Sequence, residues 1–407
     1  MDDQTKAATH IVGGVRMERP FRIRRLGHFG LDCENIEAAR DFYTQNFGFR
    51  IADPLDLAHR LPPEEQGQHG PTTGYFMRHG TDHHSFVIFP RKLRMRLLPR
   101  YNKRCTINQI TWQVGSLREV VDGFTWLSAK GVTIVRSGRD NPGSNWHAYP
   151  LDPEGHTNEI YYGIEQIGWD ALSKPGGMHR QGYTSTPELP HRSEWAETNE
   201  GFKAGIDLMN ATRAFEPLEE KYDVGGVLLG RPFKVTKVGP VRIFVDDVGA
   251  ALAFYRESMG LVLTEEVEWN GHRCAFLRAN TEHHSIALYP MALRKELGLS
   301  EHTTHFSIGF QVGDYKQMCD AMDWLKERGV TIRKLPPELF PGMDHTAFAF
   351  DPDGHAIQIY YYMEQIGWDG RPRPQSQRPR IDNDRWPEYV DAASDTFAGE
   401  VFLGPHN

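Results

Sequence analysis

The sequence predicts an α+β chain in which one β-α-β-β-β unit is used four times. Three observations carry that expectation. Five motifs recur in the same order, so the chain is written twice. Each copy restarts halfway along its length. The strand signals are short, and the helical ones carry apolar residues at helical spacing and stop at glycine.

The duplication is read directly. Val12-Gly-Gly-Val15 with Arg19-Pro-Phe21 recurs as Val224-Gly-Gly-Val227 with Arg231-Pro-Phe233. Asp41-Phe-Tyr43 recurs as Ala253-Phe-Tyr255, and Asp82-His-His-Ser85 as Glu282-His-His-Ser285. Asp152-Pro-Glu-Gly-His156 recurs as Asp351-Pro-Asp-Gly-His355, and Glu165-Gln-Ile-Gly-Trp-Asp170 as Glu364-Gln-Ile-Gly-Trp-Asp369. The offset shrinks from 212 positions (Val12 to Val224) to 199 (Asp152 to Asp351), so the first copy carries roughly a dozen extra residues. They fall between Asp53 and Gly74, where a loop insertion containing His59 and His69 is the inexpensive explanation and a lid is conceivable.

Within the first copy, Arg24 to Asp32 reads as a strand. Asn35 to Phe47 reads as a helix stopped by Gly48, and Gly74 to Met77 and Ser85 to Phe89 as short strands. The order then restarts: strand Ile107 to Val114, helix Leu117 to Ala129 closed by Gly131, then strands Val132 to Val135, Trp146 to Pro150 and Asn158 to Tyr162. This gives a tail over 1–11, a first domain over 12–170, a linker arm over 171–223, a second domain over 224–370 and a C-terminal arm over 371–407. The linker arm should turn helical around Gly201 to Phe215. Both arms hold a tryptophan near acidic residues, Trp195 and Trp386, and are expected to pack over a domain or a neighbouring subunit, with a loose linker and tail as the alternative.

Composition bounds the function. With 407 residues, 39% hydrophobic and 25% charged, the chain is an ordinary globular one. Its net charge of −8 argues against nucleic acid as a partner. No apolar run approaches the ~18 residues of a membrane span, and the polar start MDDQTKAATH has no secretory core. Cys33, Cys105, Cys274 and Cys319 form no CxxC, so a reducing cytoplasm is the expected location. The 19 histidines are the compositional oddity.

Four such modules, with a histidine in the first strand and a carboxylate in the last, resemble the vicinal oxygen chelate superfamily, and most of all its two-domain extradiol ring-cleavage dioxygenases. The resemblance implies two domains, each an incomplete β-barrel flanked by helices, with one metal held by strands of two modules. It implies ligation by His28 in Leu26-Gly-His-Phe29, Gln109 in Ile107-Asn-Gln-Ile-Thr-Trp112 and Glu159 in Gly155-His-Thr-Asn-Glu-Ile-Tyr161. In those enzymes a second histidine usually stands where Gln109 does. It further implies His84 as acid–base and Tyr149 as a hydrogen-bond partner of substrate oxygen, while a further family histidine falls at Asp140 and is not retained.

The two copies differ where this matters. Pro240, Ser307 and Gln358 replace His28, Gln109 and Glu159, and Phe348 replaces Tyr149, so the metal site should be lost from the second domain. A strand histidine is commonly a hydrogen-bonded core residue, and His84 has a counterpart in His284, which allows a structural role such as a turn or an inter-domain bond. The Asp-Pro-Glu/Asp-Gly-His segments read as turns, and the Glu-Gln-Ile-Gly-Trp-Asp repeat as packing.

The expectation is a metal-dependent extradiol-type dioxygenase, with Fe(II) first and Mn(II) or another divalent ion as the alternative, cleaving a catechol-like aromatic with O2. A homo-oligomer without membrane or nucleic-acid partners is expected. A glyoxalase- or epimerase-like isomerase is the rival, and a non-catalytic binding or resistance protein the third reading.

Overall fold

The computed structural model describes residues 9–98, 104–178 and 182–391. Residues 1–8 of the expected N-terminal tail and 392–407 of the C-terminal arm lie outside that range. The first half contains β1 (His10–Val12), β2 (Val15–Met17), β3 (Arg25–Cys33), β4 (Arg50–Asp56), β5 (Thr73–Arg78), β6 (Phe86–Pro90), β7 (Ile107–Gln113), β8 (Ile134–Arg139), β9 (Trp146–Pro150) and β10 (Asn158–Tyr162). The second repeats it with β11 (Tyr222–Val224), β12 (Val227–Leu229), β13 (Val235–Val245), β14 (Val262–Trp269), β15 (His272–Arg278), β16 (Ile286–Pro290), β17 (His305–Val312), β18 (Ile332–Arg333), β19 (Thr346–Phe350) and β20 (Ala356–Tyr360).

The repeated Val-Gly-Gly-Val is a hairpin. Gly13 and Gly14 take φ of 55° and 83°, and Gly225 and Gly226 take 62° and 87°, the left-handed pair a two-residue turn between β1 and β2 or β11 and β12 demands.

The remaining strands form two eight-stranded sheets of identical order, β4-β5-β6-β3-β7-β10-β9-β8 and β14-β15-β16-β13-β17-β20-β19-β18, each curled into a half-barrel. In each module the first and last strands pair in parallel, β3 with β6 and β7 with β10, which requires a crossover. The helical segments between them supply it. Helix Leu117–Ala129 starts at Ser116, whose hydroxyl accepts from the Glu119 amide as a capping box does. The segment expected as one helix over 35–47 is α-helical only over Ile36–Asp41 and widens to a π-turn over Phe42–Asn46; the second half does the same over Phe254–Ser258. The strand β4 went unread because it runs into the polar 53–74 insertion and is half-exposed along much of its length.

The two first strands, β3 and β7, therefore lie side by side at the centre of the sheet, flanked by β6 and β10. One apolar core runs through both halves; Phe47, Phe49 and Phe86 meet Phe310 with ring centroids 5.0–5.7 Å apart.

The Asp-Pro-x-Gly-His repeats are turns, as expected, and they also latch the halves together reciprocally. The Tyr43 hydroxyl donates to Asp351 at 2.9 Å and the Tyr255 hydroxyl to Asp152 at 3.1 Å. His156 bonds Thr304 and His355 bonds Thr106, each at 2.8 Å. Asp353 accepts the amides of Glu34 and Asn35, and Glu154 those of Asp246 and Asp247.

The arms pack over the halves they follow. In the linker arm the helix lies over Glu194–Lys203, earlier than expected, and Glu197 takes a bidentate pair from buried Arg139 at 3.1 and 2.8 Å. Trp195 stays 75% exposed, against expectation. In the C-terminal arm Trp386 lies 3.8 Å beneath the Lys334 ammonium, and the Pro387 carbonyl accepts from Tyr315. In the Glu-Gln-Ile-Gly-Trp-Asp repeats, Ile167 and Ile366 are buried as packing residues, but Trp169 and Trp368 are exposed.

Candidate metal and substrate site

Side chains two apart on a strand share a face. On β3 that places His28 on the face of Gly30, and on β7 it places Gln109 with Thr111. The pairing of Gly30 with Gln109 and of Glu159 with Thr111 brings the three strands into register. Thr111 sits between the two candidate ligands. Its hydroxyl accepts from the His28 amide and donates to the His28 carbonyl, both at 2.6 Å.

His28 Nε2 lies 3.1 Å from Glu159 Oε2, with both side chains fully out of water. Asn145 Nδ2 donates to the other carboxylate oxygen at 2.7 Å, and His147 Nδ1 stands 3.9 Å from it. Burial alone would raise the Glu159 pKa, but the neighbouring His28 ring, followed by His147 and Arg136, holds it below the ordinary value. His84 packs edge-on against His28 with centroids 4.3 Å apart. Burial first, then the neighbouring His28 and His83 rings, push its pKa down. Tyr149 is a phenol for the same first reason, burial, reinforced by Glu159. Its hydroxyl donates to Gln109 Oε1 at 3.4 Å, and Arg136 lies 4.4 Å over its ring.

His28, His84, Gln109, Asn145 and Tyr149 line one cavity of about 210 Å³. This exceeds the ~150 Å³ apolar cavity that accommodates benzene in an engineered protein, so one substituted aromatic ring fits. The 53–74 insertion walls its outer end with Leu55, Leu57 and Arg60. A larger cleft of about 640 Å³ lies under the C-terminal arm, beside Arg373 and Arg378, but has no imidazole in its lining.

The donors suit a divalent cation. Two ligands each ~2.1 Å from one ion at a right angle are roughly 3 Å apart, the separation of His28 Nε2 and Glu159 Oε2. Glu159 is a buried carboxylate whose close partners are an imidazole and an amide, with no lysine or arginine within ion-pair distance among the described residues. Such a charge needs a counter-ion. No group of three His, Cys, Asp or Glu side chains among the described residues is placed to hold a metal ion, so a site built on His28 and Glu159 would need a third donor of another kind, such as an amide oxygen. Gln109 offers one on the cavity wall, where its present hydrogen bond is with Tyr149.

Sequence reading missed Thr111, Asn145 and His147. Each differs between the copies (Gly309, Asp344 and Thr346), the same signal that marked His28 and Glu159. It also missed what fills the second half. There Arg242 replaces Gly30, fully buried, and its guanidinium donates to Gln358 Oε1, to His284 Nε2 at 2.8 Å and toward Met343 Sδ at 3.0 Å. The polar pair Asp32 and Asn108, bonded at 2.7 Å, is replaced by Phe244 and Phe306, stacked at 4.9 Å.

Comparison with known proteins places this arrangement. A curated relative, metapyrocatechase 2 of Cupriavidus necator, is 28% identical over 145 residues, 35% of this chain and only 38% of that protein's length. Among solved structures, the Mn(II)-bound glyoxalase from Novosphingobium aromaticivorans superposes with a TM-score of 0.53 at 14% identity, covering 86% of this chain and 85% of that one. A catechol 2,3-dioxygenase superposes with a TM-score of 0.52 at 17% identity, covering 88% and 92%. At those identities the structural likeness speaks for the fold, that of the two-domain extradiol dioxygenases. No helix among the described residues is long and apolar enough to cross a membrane. The glyoxalase/bleomycin resistance protein/dioxygenase superfamily model matches residues 25–160 and again 237–359, and the chain belongs to that superfamily.

Proposed function

We propose that the chain is a metal-dependent dioxygenase of the extradiol type, cleaving a catechol-like ring with O2, with Fe(II) as the first candidate ion and Mn(II) as the second. The observation that carries this reading is the buried His28–Glu159 pair, whose His28 lines a cavity of aromatic size that also presents His84 and Tyr149. A divalent ion held by His28, Glu159 and the amide oxygen of Gln109 would supply Lewis-acid and one-electron chemistry toward the ring oxygens and O2. The remaining work falls to the side chains. His84 takes a proton from a ring hydroxyl, Tyr149 donates to a ring oxygen, and the leucines of the insertion keep water from the outer end.

The second half has no part in this chemistry. Arg242 stands in it as a permanent cation. Tail, arms and the two domains as divided above remain the organisation we propose.

The test is anaerobic loading with Fe(II), then O2 and a panel of catechols. Oxygen uptake with a yellow ring-opened product is expected. Its absence across the panel refutes the reading. The amide Gln109, in place of a histidine, favours one rival, an isomerase that uses the same ligands without oxygen. Turnover of an α-hydroxycarbonyl compound under argon with Co(II), Ni(II) or Zn(II) would establish that rival instead.

A further inference from the structure

Both copies keep a His-His pair, and in both it forms a chain ending on a carboxylate. In the first, His84 Nδ1 is 3.0 Å from His83 Nδ1, and His83 Nε2 is 2.8 Å from Asp53 Oδ2. In the second, the corresponding distances are 3.0 Å from His284 to His283 and 2.9 Å from His283 to Glu265. Asp53 and Glu265 occupy the same place on β4 and β14, paired with Phe76 and Phe276.

The second copy reveals which atoms carry the protons. A guanidinium only donates, so Arg242 fixes His284 Nε2 as a bare acceptor. The single N–H of that ring is then on Nδ1 and points at His283 Nδ1. That atom must be bare, and the His283 proton sits on Nε2, facing the Glu265 carboxylate. Each step follows from the one before it. The first copy has the same chain within 0.1 Å, but no arginine at its end. There the ring of His84 faces the cavity. Gly143 holds the pair in place. Its φ of 92° suits glycine, and a Cβ there would come within 2.9 Å of the His84 ring.

We infer that Asp53 and His83 are positioning residues that fix the tautomer of His84, leaving its Nε2 bare toward the cavity as a proton acceptor. On transfer, the O–H bond of the bound hydroxyl breaks and its electron pair stays on oxygen. An N–H bond forms at His84 Nε2, and the imidazolium so made donates through Nδ1 to His83, which is in turn anchored on Asp53. Asp53 also accepts from Thr212 at 2.7 Å, so the linker arm holds the far end of the chain. The tautomer follows from hydrogen-bond geometry alone. Only the source of the proton rests on the proposed dioxygenase reading.

Two measurements test it. In metal-free protein labelled with 15N-histidine, with His84→Gln used to assign the signals, His84 is expected to be neutral with its proton on Nδ1. His284 should show the same form. Asp53→Asn, whose amide can also donate, should mix the tautomers of His84, whereas Asp53→Glu, the residue of the second copy, should keep the native one. In the loaded enzyme, Asp53→Asn should lower kcat about tenfold or more with KM little changed, and Asp53→Glu should restore it. A wild-type His84 protonated on Nε2, or a tautomer indifferent to Asp53→Asn, overturns the inference. Absence of catechol turnover alongside the expected tautomer would reject the dioxygenase reading and leave this one standing.

Discussion

Replacing Glu159 by glutamine makes the first half read as the second does at Gln358. Of the three candidate ligands only Glu159 is charged, and its side chain is fully out of water. A divalent ion left there with His28 and an amide alone is an uncompensated buried charge. Removing one partner of such a pair costs about 3–5 kcal/mol. At about 1.4 kcal/mol per factor of ten this is roughly a hundred- to several-thousand-fold in Kd. The metal-free fold should change little. The amide keeps the size of the side chain and an oxygen for Asn145, and gives up mainly the charge-assisted 3.1 Å contact with His28, worth about 1.5–3 kcal/mol. Competitive titration of Mn(II) or Fe(II) against a chelator, with thermal melts of the metal-free proteins alongside, reads both effects. A folded Glu159→Gln protein that binds the ion within about threefold of wild type refutes the reasoning, because the site then lies elsewhere. His28→Gln is the companion variant; it removes a neutral ligand and keeps the carboxylate, so its loss should be smaller than that of Glu159→Gln.

Tyr149→Phe, which copies Phe348, removes the hydroxyl beside Gln109 and should lower kcat about tenfold or more while metal content stays unchanged; an unaltered kcat would remove Tyr149 from the reaction. Tyr43→Phe and Tyr255→Phe each delete one buried hydrogen bond to a carboxylate between the halves and should each cost about 1.5–3 kcal/mol, read as a lower urea midpoint; no shift in either would mean the latches are idle. His156 should show itself in pH dependence. Burial would lower its pKa, but the Asp152 carboxylate outweighs burial and raises it. The stabilisation is therefore complete below the unfolded value of about 6.5 and is lost as pH rises through the folded one. The stability gap between wild type and His156→Gln should shrink as pH rises above 6.5, and a gap that widens contradicts the assignment.

The fold was legible because duplication multiplies weak signals: a Gly-Gly turn, a Phe-Tyr helix face or an Asp-Pro turn seen once is a guess, and seen twice in order is an architecture. What escaped was half-exposed or local. β4 carries alternate exposed residues and a proline. The π-turn at Phe42–Asn46 is a property of hydrogen-bond spacing that residue types do not encode plainly. For the site, the copy-to-copy differences at His28 and Tyr149 fall on one cavity, and Glu159 is bonded to His28. Sequence could not supply the non-local partners of these residues. Asn145 reaches Glu159 from a loop, and Asp53 meets His83 across 30 positions. The retained His-His pair looked structural because both copies have it, yet the same chain of bonds ends on an arginine in one half and on an open cavity in the other.

That contrast bears on the proposed loss of the metal from the second half. A half-barrel of this kind converges polar groups from its central strands on one interior point, and unpaired they would be costly. In the second half Arg242 donates to Gln358 Oε1 and to His284 Nε2 at once, and the aromatic stack of Phe244 and Phe306 stands where Asp32 and Asn108 do in the first. In the first half Gly30 stands where Arg242 does and carries no side chain, and a Cβ there would meet Val87 at 2.6 Å. Asn108, bonded to buried Asp32, keeps the cavity wall polar there. A covalently attached cation fixes structure but occupies the space a substrate would need. An exchangeable cation would supply the same charge without a side chain filling that space. On the reading proposed above, the two halves are two electrostatic solutions of one frame, with the chemistry in the first.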